Sequence, residues 1–428
     1  MHKAASHLSV AVVLSAAMWI WVQAIAVPHQ VAASAEYGTP RGNLSDLYPR
    51  WLGTRELLLH HRDPYHADVT REIQIGYYGR PLDPKRPHDP KDQQGFAYPI
   101  YVVLILAPAV TWSFATVHRI VFWLFAVLTA VSVPLWLSTL RWQLSRTATA
   151  AWILTTVSCF PAIQGLKLLQ LSVLVTALIS ASINGIARRQ LGLAGILLAL
   201  ATIKPQLVFL LICFLMIWTL GNWRERQRLV WSFVLTMGVL LSAGELLLPG
   251  WIAEFRAALK DYYVYTGGGN SLAEIVLSPI PGKIGSALLV CTALVFAWRN
   301  RQATQESPSF QWSVCFTLAT TLMVIPMFAP YNQLLLLPAV MMAVRARHQL
   351  WTDSLFSRFF CSIAALSIAT PFFSAAGLVV ALAFLPSASV QKVWGPPFYA
   401  SFAIPLTMFG VLLVSRKAMI AQFTNKIV

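Results

Sequence analysis

Residues 8–27 read LSVAVVLSAAMWIWVQAIAV, twenty residues without a charge behind the short basic leader His2-Lys3. As a helix they rise about 30 Å, the thickness of a bilayer's hydrocarbon core. The stretch reads as a membrane span. Ala33-Ser34-Ala35 resembles a signal cleavage site, but the apolar run is longer than a usual signal core, which favours an uncleaved anchor. On either reading the segment that follows is exported.

Similar apolar runs recur along the whole chain. Of the 428 residues 57% are hydrophobic and only 11% charged, and the mean hydropathy is +0.63. A water-soluble protein has too little polar cover for that much apolar surface. The expected architecture is an all-α polytopic membrane protein, one membrane domain over residues 1–428 with about twelve transmembrane helices and both termini inside.

A net charge of +16 is of the size nucleic-acid binders carry, but its placement argues otherwise. Most Lys and Arg fall in short clusters between apolar runs: Arg141/Arg146, Arg188/Arg189, Arg224/Arg226/Arg228, Arg299/Arg301, Arg345/Arg347 and Arg416/Lys417. Clusters after every second span are cytoplasmic by the positive-inside rule. The turns between them, residues 160–170, Lys204-Pro205 and residues 328–332, are poorer in charge and face outward. Parity then requires that residues 98–117, with Pro99 and Pro108, form a re-entrant or interfacial segment shielded by neighbouring helices.

Residues 28–97 are the first extracytoplasmic loop and the only long polar stretch. Nine basic and nine acidic residues make it neutral. Ser45 is placed to cap a helix starting at Asp46, with Pro49 in its first turn and Asp63-Pro64 at its end. Leu44, Leu47, Trp51 and Leu58 line one face, Arg50 and Glu56 the other, so this helix is expected to lie along the bilayer surface with its apolar side among the headgroups. A second helix is expected over residues 70–78, followed by a Pro- and Asp-rich loop.

Chemistry has few places to sit. Lys204, beside the helix-breaking Pro205, and Lys167 lie in outward turns, and Glu245, Arg256 and Lys260 flank a third outward segment. Fixed cations at the rim of a low-dielectric cavity suit a phosphate; the bland reading is lysines snorkelling to lipid headgroups. Gly267-Gly268-Gly269-Asn270-Ser271 reads first as a flexible loop, with a mobile lid or a phosphate-binding nest as the functional alternatives. No HExxH, GxSxG, CxxC or P-loop pattern occurs, the loop histidines lack ligand spacing, and the five cysteines sit in apolar segments. No metal site or cofactor is expected; assistance by a divalent cation stays open.

Several of these segments together resemble a known family. Asp46-Leu47-Tyr48-Pro49-Arg50-Trp51, Leu57-Leu58 and Asp63-Pro64-Tyr65 resemble the first exported loop of the GT-C superfamily, specifically the polyprenol-phosphate-sugar-dependent transferases of glycosyltransferase family 87. Phe96-Ala97-Tyr98-Pro99 is similar to that family's Tyr-Pro-Pro segment, residues 165–170 to its Gly-Gln turn, and residues 194–205 to its Gly-Leu-rich stretch ending in Lys-Pro. The likeness is good over residues 8–225 and loose beyond.

The resemblance implies a GT-C-like fold and inverting transfer of a hexose, with mannose a candidate, from a polyprenyl phosphate carrier to a lipid or glycan acceptor. The active site would face the extracytoplasmic side of the inner (plasma) membrane, in contact with membrane lipids. It makes Asp46 the general base, and Lys204, Arg55, Arg62 and Lys167 candidates for the donor phosphate. Tyr48, Trp51, Tyr65, Tyr98, Gln170 and Asn332, in or beside the quoted stretches, become substrate-binding candidates. Where the family often has a His in the late outward turn, this chain reads Ala329-Pro330-Tyr331-Asn332-Gln333, which leaves a His relay without a residue. The rival readings are a multi-pass transporter or lipid flippase, expected to show internal repeats, and a non-catalytic assembly factor. The transferase reading requires Asp46 and Lys204 to meet at one cavity.

Overall fold

The computed structural model describes residues 2–36 and 45–424, and among these all regular secondary structure is helical, without strands. Six helices are long and apolar enough to cross a membrane: 7–35, Phe114–Thr139, Trp223–Leu247, Pro279–Arg299, Leu355–Ala381 and 387–414. The pair Arg146–Ser158 and Phe160–Lys167, bent by 56° at Cys159, makes a seventh if counted as one span. Length and composition alone thus give six spans, or seven with the bent pair, against the expectation of about twelve. Several of the apolar runs behind it fold as helices of 10–17 residues, such as Leu171–Ala187 and Pro205–Leu220, each ended early by a turn or a proline.

Large apolar side chains point out of the bundle: Leu235, Val239 and Leu246 on one long helix, Leu288 and Val295 on the next, Leu366 and Phe373 on a third. Such a continuous belt has no place against water, and lipid is its solvent. The chain is a polytopic membrane protein. Inside, helices close tightly where small residues allow it. A Cβ on Gly195 would sit 2.4 Å from the Leu229 carbonyl oxygen, so only glycine admits this approach between Leu191–Leu200 and Trp223–Leu247.

The basic clusters gather at one end of the bundle. Arg226 is buried there, its guanidinium donating to the carbonyls of Trp218 (2.6 Å), Arg301 (2.7 Å) and Ala303 (2.9 Å) and stacking 3.9 Å from the Trp218 ring. Arg141 pairs with Glu306 at 2.6 Å, and Arg345 donates to the Leu140 carbonyl. Helices leave this end and return to it, so the turns holding Gln170, Lys204 and Tyr331 share the opposite end.

The loop region departs from its expected outline. Residues 28–36 continue the first helix through a π-helical turn at Val22–Ala26. Leu44, one of the residues assigned to the apolar face, lies outside the described residues. The loop's first helix is Tyr48–His60, starting two residues later than expected. Ser45 offers its carbonyl oxygen, not its buried hydroxyl, to Tyr48 N–H at 2.8 Å. It ends at His61, whose left-handed backbone (φ 54°) stops it before Asp63-Pro64.

Its apolar face is not among lipid headgroups. Of that face Leu47 and Trp51 are buried in the main protein core and Leu58 is half-buried against it, and Trp51 Nε1 donates to the Ala109 carbonyl at 3.1 Å. Glu56 is buried too, where Arg62 compensates its charge at 2.8 Å. The second helix spans Ala67–Tyr78 and stops at Gly79 (φ 78°). Residues 98–113 form only a short helix, Val102–Leu106, and a 3-10 turn, Ala107–Ala109; Phe114, expected within the interfacial segment, begins the next long helix. Tyr101 anchors that segment by donating to the Thr202 carbonyl at 3.0 Å.

Candidate functional site

Two local breaks build the site. Pro205 forces the residue before it out of the helical region, and Lys204 adopts φ −124°, ψ 79° between Ala201–Ile203 and Pro205–Leu220. At the other break Leu169 takes a left-handed backbone (φ 47°), which costs an L-residue roughly 1–2 kcal/mol. Gln170 N–H closes that turn on the Gly165 carbonyl at 2.9 Å. Both breaks end one helix and start another, so the helices Leu171–Ala187 and Pro205–Leu220 each turn a positive N-terminal end toward the same space.

That space is a cavity of about 460 Å³. Its walls include Asp46, Arg50, Asp92 and Gln94 from the loop region, Tyr98 and Gln170, Lys204, Tyr262 from the helix Trp251–Thr266, and Tyr331 and Asn332. Asp46 N–H donates to the Leu168 carbonyl at 2.9 Å, tying the loop to the Gln170 turn.

The polar groups form one connected set. Gln170 donates its Nε2 to the Asp46 carboxylate, and its Oε1 accepts from Lys204 Nζ at 2.6 Å. Lys204 also donates to Ser172 Oγ at 2.8 Å, which donates in turn to Asn332 Oδ1 at 2.8 Å. Tyr77 Oη donates to the other Asp46 oxygen at 3.2 Å. Gln94 Nε2 lies 2.7 Å from Asp92 Oδ2 and 3.4 Å from Asp46 Oδ1, so one amide spans both carboxylates.

Charge in the cavity is balanced but locally uneven. Arg50 lies 4.5 Å over the Tyr98 ring, and Lys204 is 5.7 Å from that ring and 5.2 Å from Tyr331. Burial and the Asp46 carboxylate hold the Asp92 carboxyl above its ordinary value, against the pull of Arg50. Burial and Asp46 also push the Tyr77 phenol up, keeping it a neutral donor. Arg50 Nε and Gln94 Oε1 are buried without a protein partner. A native fold rarely leaves such atoms unsatisfied, and here both belong to residues lining the cavity.

Of the residues expected at the site, Asp46, Lys204, Tyr98, Gln170 and Asn332 come together here. The other cations do not. Arg62 is engaged by Glu56, Asp68 and Glu72, each within 3.0 Å. Arg55 donates to the Val110 carbonyl at 3.3 Å, and Lys167 to Gln30 Oε1 at 3.0 Å beside a separate, smaller pocket. Tyr48 and Trp51 pack against Phe114, while Tyr65 donates to the Tyr98 carbonyl at 2.6 Å from behind the wall.

Arg50, Tyr77, Asp92, Gln94, Tyr262 and Tyr331 were not singled out from sequence. Arg50 had a legible signal, since it stands one helical turn after Asp46 and donates to the Asp46 carbonyl at 2.8 Å. Asp92 and Gln94 lie in a loop without periodicity, so only folding brings them to the site. Among the described residues no three His, Cys, Asp or Glu side chains gather as metal ligands. No protein-family model, curated protein or solved structure matches the chain.

Proposed function

We propose that the chain is a membrane glycosyltransferase of the GT-C type, moving a hexose from a polyprenyl phosphate to an extracytoplasmic acceptor. The observation that carries this reading is the convergence of Asp46 and Lys204 on one cavity, linked through Gln170. The acceptor hydroxyl loses its proton to Asp46 as its oxygen attacks the anomeric carbon. The bond from that carbon to the phosphate oxygen breaks, and its electron pair leaves on the carrier phosphate. One displacement inverts the anomeric centre, and one positioned base is sufficient.

Lys204 and Arg50 meet the leaving phosphate's charge, helped by the two helix N-termini. Arg50 takes the role expected of Arg55, Arg62 and Lys167, whose partners lie elsewhere. Its buried, unpartnered Nε is a donor in want of an acceptor.

The twelve-crossing topology belongs to the same reading. Besides the six long helices and the bent pair, the helical stretches 171–187, 191–203, 205–220, 308–324 and 330–345 run between the two ends of the bundle. With the arginine-rich end cytoplasmic, the cavity opens on the outer face of the plasma membrane.

The test is transfer by the purified full chain in nanodiscs, from polyprenyl phosphate-linked hexoses (mannose first) to glycan and lipid-linked acceptors. Formation of an inverted glycosidic bond is expected. Tight donor binding with no transfer to any acceptor, or donor-independent lipid translocation in vesicles, would overturn the reading.

A further inference from the structure

The side-chain bonds around Gln170 suggest a role separate from substrate contact. Lysine offers only donors and an ionised carboxylate only acceptors, so an amide between them has one orientation available. Gln170 adopts it, Oε1 toward Lys204 and Nε2 toward Asp46. The backbone holding it is fixed from three sides: its own N–H on Gly165, the left-handed Leu169, and the Asp46 N–H on Leu168. Nothing in this arrangement needs Gln170 to reach the reacting atoms.

We propose that Gln170 is a positioning residue, a spacer that keeps the Asp46 carboxylate and the Lys204 ammonium one amide apart. Opposite charges in a low-dielectric cavity close into a contact pair when nothing stands between them, and the attraction grows as they approach. In a contact pair the carboxylate is a weaker base and the ammonium is occupied. With the spacer, the Asp46 carboxylate stays out of direct contact with the ammonium, and Lys204 keeps a face toward Tyr98 and Tyr331. The catalytic consequence rests on the transferase reading; the separation of charges does not.

Two measurements on the full chain in nanodiscs test this. Gln170→Met preserves length and removes both hydrogen bonds. Lys204 is followed by reductive methylation with formaldehyde and peptide mass spectrometry as a function of pH. In Gln170→Met the midpoint of methylation is expected to rise by about one pH unit, a tenfold change in proton affinity. Adding Asp46→Asn is expected to return it. The other titratable groups facing the pair, Arg50, Tyr77, Asp92, Tyr98, Tyr262 and Tyr331, are unchanged in all variants.

In the transfer assay, Gln170→Met is expected to lower kcat at least tenfold and move the acidic limb of the pH profile downward. Gln170→Asn, shorter by one methylene, is expected to shift both readouts the same way by less, and it serves if the methionine variant fails to fold. An unmoved methylation midpoint, or a lower kcat on an unmoved acidic limb, would overturn the spacer and leave Gln170 a packing residue. Absence of transfer from every hexose donor would instead sink the transferase reading, with the methylation result still deciding the spacer.

Discussion

Arg50 and Lys204 are held beside the same aromatic ring, that of Tyr98, one on a helix of the polar loop and the other at a break between two helices of the bundle. A cation beside a ring face gains modestly from the quadrupole. It is also fixed in direction. Two cations fixed around one ring suit the phosphate seat of the proposed function, and that proposal can be tested one group at a time.

Asp46 is the proposed base. Asp46→Asn keeps the side chain's shape, and its single oxygen can still accept from either Gln170 or from Tyr77 and Gln94, but not from both sides. Transfer should fall by three orders of magnitude or more, roughly what removing a positioned general base together with its charge produces. Expression and gel-filtration behaviour should be unchanged, and donor binding by calorimetry should persist. Full transfer in this variant would remove Asp46 from the mechanism.

The two cations should show in donor affinity. Losing a hydrogen bond to a charged partner costs about 1.5–3 kcal/mol, or roughly 10–100-fold in binding. Lys204→Ala and Arg50→Ala are each expected to raise the donor KM within that range, whereas Arg62→Ala should leave it alone, because Arg62 is committed to three carboxylates. Steady-state kinetics at varied donor concentration decides between them. Equal effects from Arg50 and Arg62 would count against the phosphate seat.

Asp92 gives a pH prediction with a definite sign. Its folded value is raised above the unfolded one, near 3.9, so the fold favours the protonated acid. That contribution is fully present below the unfolded value and disappears as pH rises through the raised folded value. Thermal melting in detergent should show the native protein losing stability across that window on the way to neutrality. Asp92→Asn, with nothing to ionise, should have a flatter profile and be at least as stable at pH 7. Parallel profiles for the two proteins would refute the assignment.

Sidedness follows from cysteine accessibility. Lys85→Cys, in the polar loop, is expected to react with a membrane-impermeant maleimide added outside intact cells. Arg224→Cys, in the basic cluster, should react only after the membrane is opened. Arg224 is chosen because it is exposed, whereas its neighbour Arg226 is tied to three carbonyls and its loss would unsettle the bundle. Labelling of both residues from one side would break the topology.

The membrane character of this protein was already decided in its primary structure, because long uncharged runs and the sorting of arginines into alternate turns are local properties that lipid reads directly. Lys204 stood out locally, as a cation beside a helix-breaking proline, whereas Asp46 was marked among the nine acids of the loop only by the family resemblance. Helix length and partnership were not legible. Apolar runs look alike whether they cross fully, bend at Cys159, or stop short at Lys204, and only packing against neighbours selects among these. The burial of Leu47 and Trp51 in the protein, not in lipid, was likewise a tertiary outcome, since an amphipathic face does not name the surface that will cover it. The cavity itself is the clearest case. Asp46 and Gln170 are 124 residues apart, and Gln170 and Lys204 another 34, so the contacts joining them exist only once the helices have packed.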